Sequence, residues 1–250
     1  MRHGILLGSL TDIGCVRENN EDSYGYHEPV ADGDFAAKGW LLVVADGMGG
    51  HSGGEVASQM AVDTIREAYA ASRQPDPAAA LLEAFKAANQ AVYDASRQNP
   101  RLRGMGTTCT ALVLKGDRAY FAHVGDTRLY LIRDGAIRQL TDDHSYVMRL
   151  VRDGLITKAQ AETHPHKNIL ERALGTKDTI DVDGSKDPIP VRKHDVFVLC
   201  SDGLTNLVSD EEIKELALAS LPPSACQALV ALAKSRGGYD NVTIQIVKIE

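Results

Sequence analysis

The sequence predicts an α+β fold in which largely antiparallel strands lie between blocks of helix. Three observations support this. Strand-like runs at Thr107–Leu114, Arg118–Val124, Thr127–Arg133 and Ala136–Leu140 follow one another at hairpin spacing, two of the joints being Lys115-Gly116-Asp117 and Asp134-Gly135. An apolar run, Trp40 to Ala45, is too short for an ordinary helix and reads as a strand buried on both faces. Helical periodicity fills Glu55–Ala71 and Ala78–Ser96, before the hairpins, and recurs after Ser209.

In chain order, residues 4–13 read as a first strand, followed by the polar loop Cys15-Val-Arg-Glu-Asn-Asn-Glu-Asp22, and Ser23–His27 resumes as a strand. Pro29–Lys38 is a loop, and the Trp40 strand then runs into Asp46-Gly47 and a glycine-rich turn through Gly54. Val56, Met60, Ile65 and Tyr69 stripe the first helix; Pro75 and Pro77 break the chain before the second. After the hairpins, residues 141–195 are the least regular, with short helices at Ser145–Val151 and Lys158–Thr163, the latter opened by Thr157 with Gln160 three residues on. Val196–Gly203 repeats the earlier theme of a buried strand ending in Asp-Gly, at Asp202-Gly203. Ser209 with Glu212 and Ser224 with Gln227 read as capping boxes for two closing helices, the second stopped at Gly237-Gly238, and Val242–Ile249 is a final strand. No linker or repeat divides the chain, so residues 1–250 are expected to form one domain.

With 44% hydrophobic and 24% charged residues the composition is that of a globular protein, and the net charge of -7 speaks against a nucleic-acid partner. The four cysteines are scattered and never spaced Cys-x-x-Cys, which points to free thiols in a reducing, cytoplasmic compartment. No apolar run approaches the ~18 residues of a membrane span, so no membrane role is expected. The default assembly is a monomer.

Acids recur at strand tips. Asp46, Asp126 and Asp202 end strands, Asp240 precedes one, and in an antiparallel sheet the end of one strand lies beside the start of its neighbour. Such acids are able to meet at one rim, with Asp22 beside them. Gathered carboxylates repel unless a cation joins them, and all-oxygen ligands select hard ions, Mg²⁺ or Mn²⁺, over zinc. His51, His123 and His144 share no zinc-ligand spacing. The glycines of loop 47–54 lack the Lys-Ser/Thr of a nucleotide phosphate loop. Thr107 and Thr108 read as strand packing, and Asp142-Asp143 as a solvated acid pair.

These residues fall into an ordered series: Val16-Arg-Glu-Asn-Asn-Glu-Asp22, Ala45-Asp-Gly-Met-Gly-Gly50, Gly106-Thr-Thr108, Val124-Gly-Asp-Thr-Arg128, Leu140-Thr-Asp-Asp-His-Ser145, Cys200-Ser-Asp-Gly-Leu204 and Asp240-Asn-Val-Thr243. In this series the chain resembles the metal-dependent protein serine/threonine phosphatases of type 2C, the PPM family, in their bacterial single-domain form. The resemblance implies a four-layer α-β-β-α sandwich, two central antiparallel sheets flanked by helix pairs. It implies hydrolysis of phosphoserine and phosphothreonine by water activated between two Mg²⁺ or Mn²⁺ ions, in opposition to a protein kinase. By resemblance Asp46 bridges the ions, the Gly47 carbonyl ligates one, and Asp202 and Asp240 hold the other. Asp22 and Glu21 act through waters, Asp126 with Asp202 forms a third, weaker site, and Arg17 grips the phosphate. Some members carry a His two residues after the bridging acid; Met48 stands there in this chain, leaving the leaving-group acid unassigned. Residues 145–175 fall where relatives have a variable flap, in which His164 and His166 read as exposed loop residues. The rival reading is a catalytically silent phosphatase-like domain that binds a partner.

Overall fold

The computed structural model describes residues 4–29, 38–49, 53–185 and 187–250. Gly50, His51 and Ser52 of the glycine-rich turn, and most of the 29–38 loop, lie outside the described residues. The strands β1 (Ile5–Asp12), β2 (Asp22–His27) and β3 (Trp40–Met48) lead into helices α1 (Gly53–Ala71) and α2 (Pro77–Gln98). A 3-10 turn at Pro100–Leu102 precedes β4 (Gly106–Thr107), β5 (Cys109–Lys115), β6 (Arg118–Val124), β7 (Arg128–Arg133) and β8 (Ala136–Gln139). Short helices α3 (Tyr146–Arg152) and α4 (Lys158–Glu162) and short strands β9 (Asp183–Gly184) and β10 (Ile189–Pro190) follow. The chain ends with β11 (Val196–Cys200), α5 (Asp202–Thr205), α6 (Asp210–Ala219), α7 (Pro222–Ser235) and β12 (Val242–Ile249).

Two antiparallel sheets form the centre. One runs β1-β12-β11-β7-β8; the other runs β10-β6-β5-β3-β2, with β4 added on β3 and β9 on β6. The alternation of β3 shows how the layers stack. Trp40, Leu42 and Val44 meet Leu129, Leu131, Phe197 and Leu199 of the opposite sheet, while Leu41, Val43 and Ala45 meet Ile65, Leu81 and Phe85 of the α1–α2 pair. A third cluster packs Val198, Cys200 and Ile244 under Ile213, Leu229 and Ala233 of α6 and α7. The four-layer sandwich expected from the resemblance is therefore present, each layer boundary closed by its own apolar cluster.

Several boundaries differ from the sequence reading, for local reasons. Pro77 does not break the chain; it is the first residue of α2, where a missing N–H costs nothing, and Asp76 caps the helix by accepting from Ala78 and Ala79. The capping boxes at Thr157/Gln160 and Ser209/Glu212 are both present. The one expected at Ser224/Gln227 is not: Pro222 starts α7, Leu221 is its cap residue without a side-chain bond, and Ser224 lies inside the helix. The run Thr107–Leu114 is split, because the Thr108 N–H leaves the ladder for the Asp46 carbonyl at 2.9 Å. Strand β3 continues past Ala45 to Met48, since Gly47 and Met48 pair with Thr107 and Gly106.

Candidate metal centre and its surroundings

Each acid reaches the site through a different backbone device. Asp22 and Asp46 are direct partners across the β2–β3 ladder, so their side chains leave the same face. Asp46 is fixed from behind: its carbonyl accepts the Thr107 hydroxyl at 2.8 Å and the Thr108 N–H at 2.9 Å, while its N–H lies 3.3 Å from Thr108 Oγ1. Next to it, Gly47 has no room for a side chain, because a Cβ there would stand 2.1 Å from the Gly54 carbonyl oxygen. Asp202 opens α5 at the end of β11, and Asp240 lies two residues before β12, the neighbour of β11. Asp126 occupies the β6–β7 turn.

The electrostatics show that these acids share one environment. Burial, and then the charges of Asp22, Asp202, Asp126 and Asp240, push the Asp46 carboxyl well above its ordinary value. Burial pushes Asp22 up to about 7 against hydrogen bonds from Ser201 and Thr243 that favour its charge; Asp202 and Asp240 raise it further. Burial and Asp240 raise Asp202, whose bonds to Asn206 and Asp46 work the other way. Asp126 is raised by burial, Asp202 and Asp143, with Arg128 opposing. Asp22 is almost closed off, whereas Asp46, Asp126, Asp202 and Asp240 keep partial exposure and face solvent-reachable space. Glu21 is half-buried; its carboxyl sits over Gly54, whose added Cβ would fall 2.8 Å from Oε2.

The surrounding hydrogen bonds hold this arrangement. Ser201 Oγ donates to Asp22 Oδ2 at 2.7 Å and accepts the Thr243 N–H at 2.9 Å, tying β2 to β11 and β12. Buried Asn241 spends its amide on the loop before β2: Nδ2 donates to the carbonyls of Ile13 and Asn19 at 2.9 and 3.0 Å, and Oδ1 accepts the Glu21 N–H at 2.8 Å. That loop presents Arg17, whose Nη2 donates to Asp240 Oδ2 at 2.7 Å. A cavity of about 730 Å³ adjoins the acids, with Asp126 and Asp202 in its wall and Met148, Lys158 and Lys167 from the 145–175 segment on another side.

The strand-tip acids lie near one another, and their supports differ from what the sequence suggests. Thr107 and Thr108 are backbone anchors of Asp46 as well as strand residues. Ser201 and Asn241 carry no sequence signal of their own beyond adjoining Asp202 and Asp240. Asp143 is not part of a solvated pair: it is buried and takes a forked bond from Arg128 at 2.7 to 3.2 Å, while Asp142 alone is exposed. Of the two flap histidines His166 is exposed and His164 half-buried against Tyr146.

Carboxylates suit a hard divalent ion, and here burial and one another's charge make several of them resist ionising. Among the described residues no three acid, His or Cys side chains already enclose an ion-sized position, so the carboxylates form a rim rather than a finished cage.

The profile of Protein phosphatase 2C matches residues 18–237. The chain belongs to the protein phosphatase 2C family. Among 2C relatives, a serine/threonine phosphatase, stp, of Listeria monocytogenes is 38% identical over 243 residues, 95% of this chain and 93% of that protein. The crystal structure of the Mycobacterium tuberculosis serine/threonine phosphatase PstP/Ppp superposes with a TM-score of 0.87 at 36% identity, covering 99% of both chains. A structure of the PstP catalytic domain in complex with two manganese ions gives a TM-score of 0.83 at 35% identity and covers 98% of both. A type 2C phosphatase fold thus accounts for the two sheets and their helix pairs, and the rim of acids lies where this chain's strand ends converge.

Proposed function

We propose that this chain is a Mg²⁺- or Mn²⁺-dependent phosphoprotein phosphatase that hydrolyses phosphoserine and phosphothreonine. The observation that carries the reading is the convergence of Asp22, Asp46, Asp126, Asp202 and Asp240 in one electrostatically linked group, in a chain of the 2C family. Asp46, the Gly47 carbonyl, Asp202 and Asp240 would hold two ions, with Asp22 and Glu21 behind them through water and Asp126 with Asp202 serving a third. Such ions, when bound, supply Lewis acidity and bring the pKa of a water towards neutral.

The chain's own residues do the rest. Arg17, half exposed at the rim, offers a planar fork that matches phosphate oxygens, and its bond to Asp240 aims it at the same place. Asn241 and the Asp46 anchors keep the acids from moving as charge changes, so reorganisation during the reaction is small. Met48 has no exchangeable proton, so the side chain at that position does not protonate the leaving oxygen. The substrate's protein part lies along the cavity between the acids and the 145–175 segment.

The reading extends to one catalytic unit over the chain, monomeric, acting on phosphoproteins of a cognate serine/threonine kinase in the cytoplasm. Free thiols at all four cysteines support a reducing compartment, and no described helix is long and apolar enough to cross a membrane. The deciding experiment is turnover of p-nitrophenyl phosphate and a phosphothreonine peptide with manganese, with EDTA, and with Asp46→Ala. Manganese-dependent turnover lost in the variant is expected. A folded, manganese-loaded chain that turns over neither substrate would leave a silent binding domain as the better reading.

A further inference from the structure

His144 holds the turn that carries Asp126 by two hydrogen bonds. Its backbone N–H donates to the Gly125 carbonyl at 2.7 Å, and the Gly125 N–H donates to its ring Nδ1 at 3.1 Å. A backbone N–H can only donate, so Nδ1 is the bare nitrogen and the ring proton sits on Nε2. Nε2–H then donates to Asp183 Oδ2 at 3.1 Å, and Arg172 Nη1, 3.3 Å from the same ring nitrogen, turns its proton to Asp183 Oδ1 at 2.7 Å. The Gly125 backbone, at φ +108°, presses so closely on Thr108 that a Cβ there would be 2.4 Å from the Thr108 Cβ. Thr108 is also the residue that anchors Asp46. On its other side the His144 ring rests on buried His123, centroids 4.7 Å apart, and His123 is pinned by Thr110 Oγ1 at 2.8 Å and the Asp142 carbonyl at 3.1 Å. The imidazole is almost fully buried.

We propose that His144 is a positioning residue for Asp126: with Asp183 and Arg172 behind it, it fixes the Gly125–Asp126 turn and so sets how well Asp126 meets a divalent cation. This rests on the metal-dependent reading above. It also gives the 145–185 region a physical connection to the acids, since Arg172 and Asp183 belong to that region while Gly125 belongs to the β6–β7 turn. Outer partners of this kind typically change metal affinity by about 10- to 100-fold when removed.

The test is calorimetric titration of the full, metal-stripped chain with Mn²⁺, comparing wild type with His144→Ala and His144→Asn. Asn retains an acceptor near the Nδ1 position and Ala does not. The expected result is that His144→Ala weakens the weakest manganese step about tenfold with the tighter steps unchanged, and that His144→Asn restores it. If every step in His144→Ala matches wild type, the inference is overturned. It is also overturned if all steps weaken together and Asn restores nothing, which is what a purely structural role would give. Should His144→Ala fail to fold, His144→Asn against His144→Gln carries the same contrast, since Gln places its acceptor nearer Nε2; equal affinities for the two overturn the proposal. Wild-type protein that takes up no manganese overturns both this inference and the phosphatase reading, whereas normal wild-type uptake insensitive to His144 overturns this inference alone.

Discussion

Asp22 and Asp46 stand directly opposite each other across the β2–β3 ladder, two acids on one face of a sheet. Like charges in that relation destabilise a sheet, by roughly 0.2–1 kcal/mol for an ordinary pair. Here burial and three further carboxylates add to the cost. The strain makes sense only if function requires the acids, because a neutral amide of the same shape at Asp46 would remove the repulsion. Asp46→Asn is therefore expected to stabilise the metal-free chain by about 1 kcal/mol. The Asn amide keeps the anchors from Thr107 and Thr108, which address only its backbone, and still reaches Asp202. The same variant should lose the stabilisation that manganese gives wild type and nearly all activity. Thermal melts with EDTA and with manganese decide it; a metal-free variant that melts below wild type would mean the pair is not repulsive.

The shifted carboxyls also fix a direction for pH. Asp22 is raised by burial from 3.8 to about 7, so the folded state keeps a proton that the unfolded state has released. Stability from this group is fully present below pH 4 and is lost as pH rises through about 7. In EDTA the melting temperature should fall over that window, and Asp22→Asn should flatten the fall. Bound divalent cations favour the charged carboxylates, so manganese should protect more at pH 8 than at pH 5. Equal protection at both values would count against a shared carboxylate site.

How much of this was open to a reader of the chain alone depends on distance along the sequence. Strand β3 was legible because its pattern is local: a continuous apolar run, then Asp-Gly. The acids stand out as candidates because each sits beside a turn signal. The supports were not legible, because they are hydrogen bonds between residues far apart in the chain. Thr107 holds Asp46 across 61 positions and Ser201 holds Asp22 across 179, and no periodicity encodes either bond. Asp143 reads as solvated for the same reason, since its partner Arg128 stands 15 positions away at the start of β7 and a pair of adjacent acids looks solvated until the opposing guanidinium is seen. The start of α7 failed differently: Ser224 and Gln227 fit a capping pattern, but Pro222 satisfies the same helix start two residues earlier by presetting φ.

Arg17 is predicted to act on substrate rather than on the fold. Its ion pair with Asp240 is half exposed on the Arg side, where such pairs contribute little to stability. Arg17→Ala should leave the melting temperature within a degree or so, and raise KM about tenfold, the cost of one charge-assisted phosphate contact. Arg17→Lys should recover only part of this, because a point charge cannot form the fork. Steady-state kinetics on a phosphothreonine peptide separate the terms; an unchanged KM in the Ala variant would remove Arg17 from the phosphate site.

Asn241 makes the sharpest case for a residue that matters without touching substrate. All of its side-chain bonds go to the loop that carries Arg17, Glu21 and Asp22, and it is 4% exposed, so water does not replace them. Asn241→Ala strips partners from the Ile13 and Asn19 carbonyls and the Glu21 N–H, and buried polar groups left unpaired cost about 1–3 kcal/mol each. Some of those backbone groups regain water as the loop loosens, so a net loss of about 3 kcal/mol is expected, read from urea midpoints at constant slope. Activity should fall further than stability requires at temperatures where the variant is folded, because Arg17 and Asp22 no longer share one frame. Asn241→Asp keeps the acceptor for Glu21 but loses both donors, so it should behave more like Ala than like wild type. If the Asp variant instead retains wild-type stability and KM, the amide donors to Ile13 and Asn19 do not hold the loop, and the frame of the site must be sought in Ser201 and Thr243.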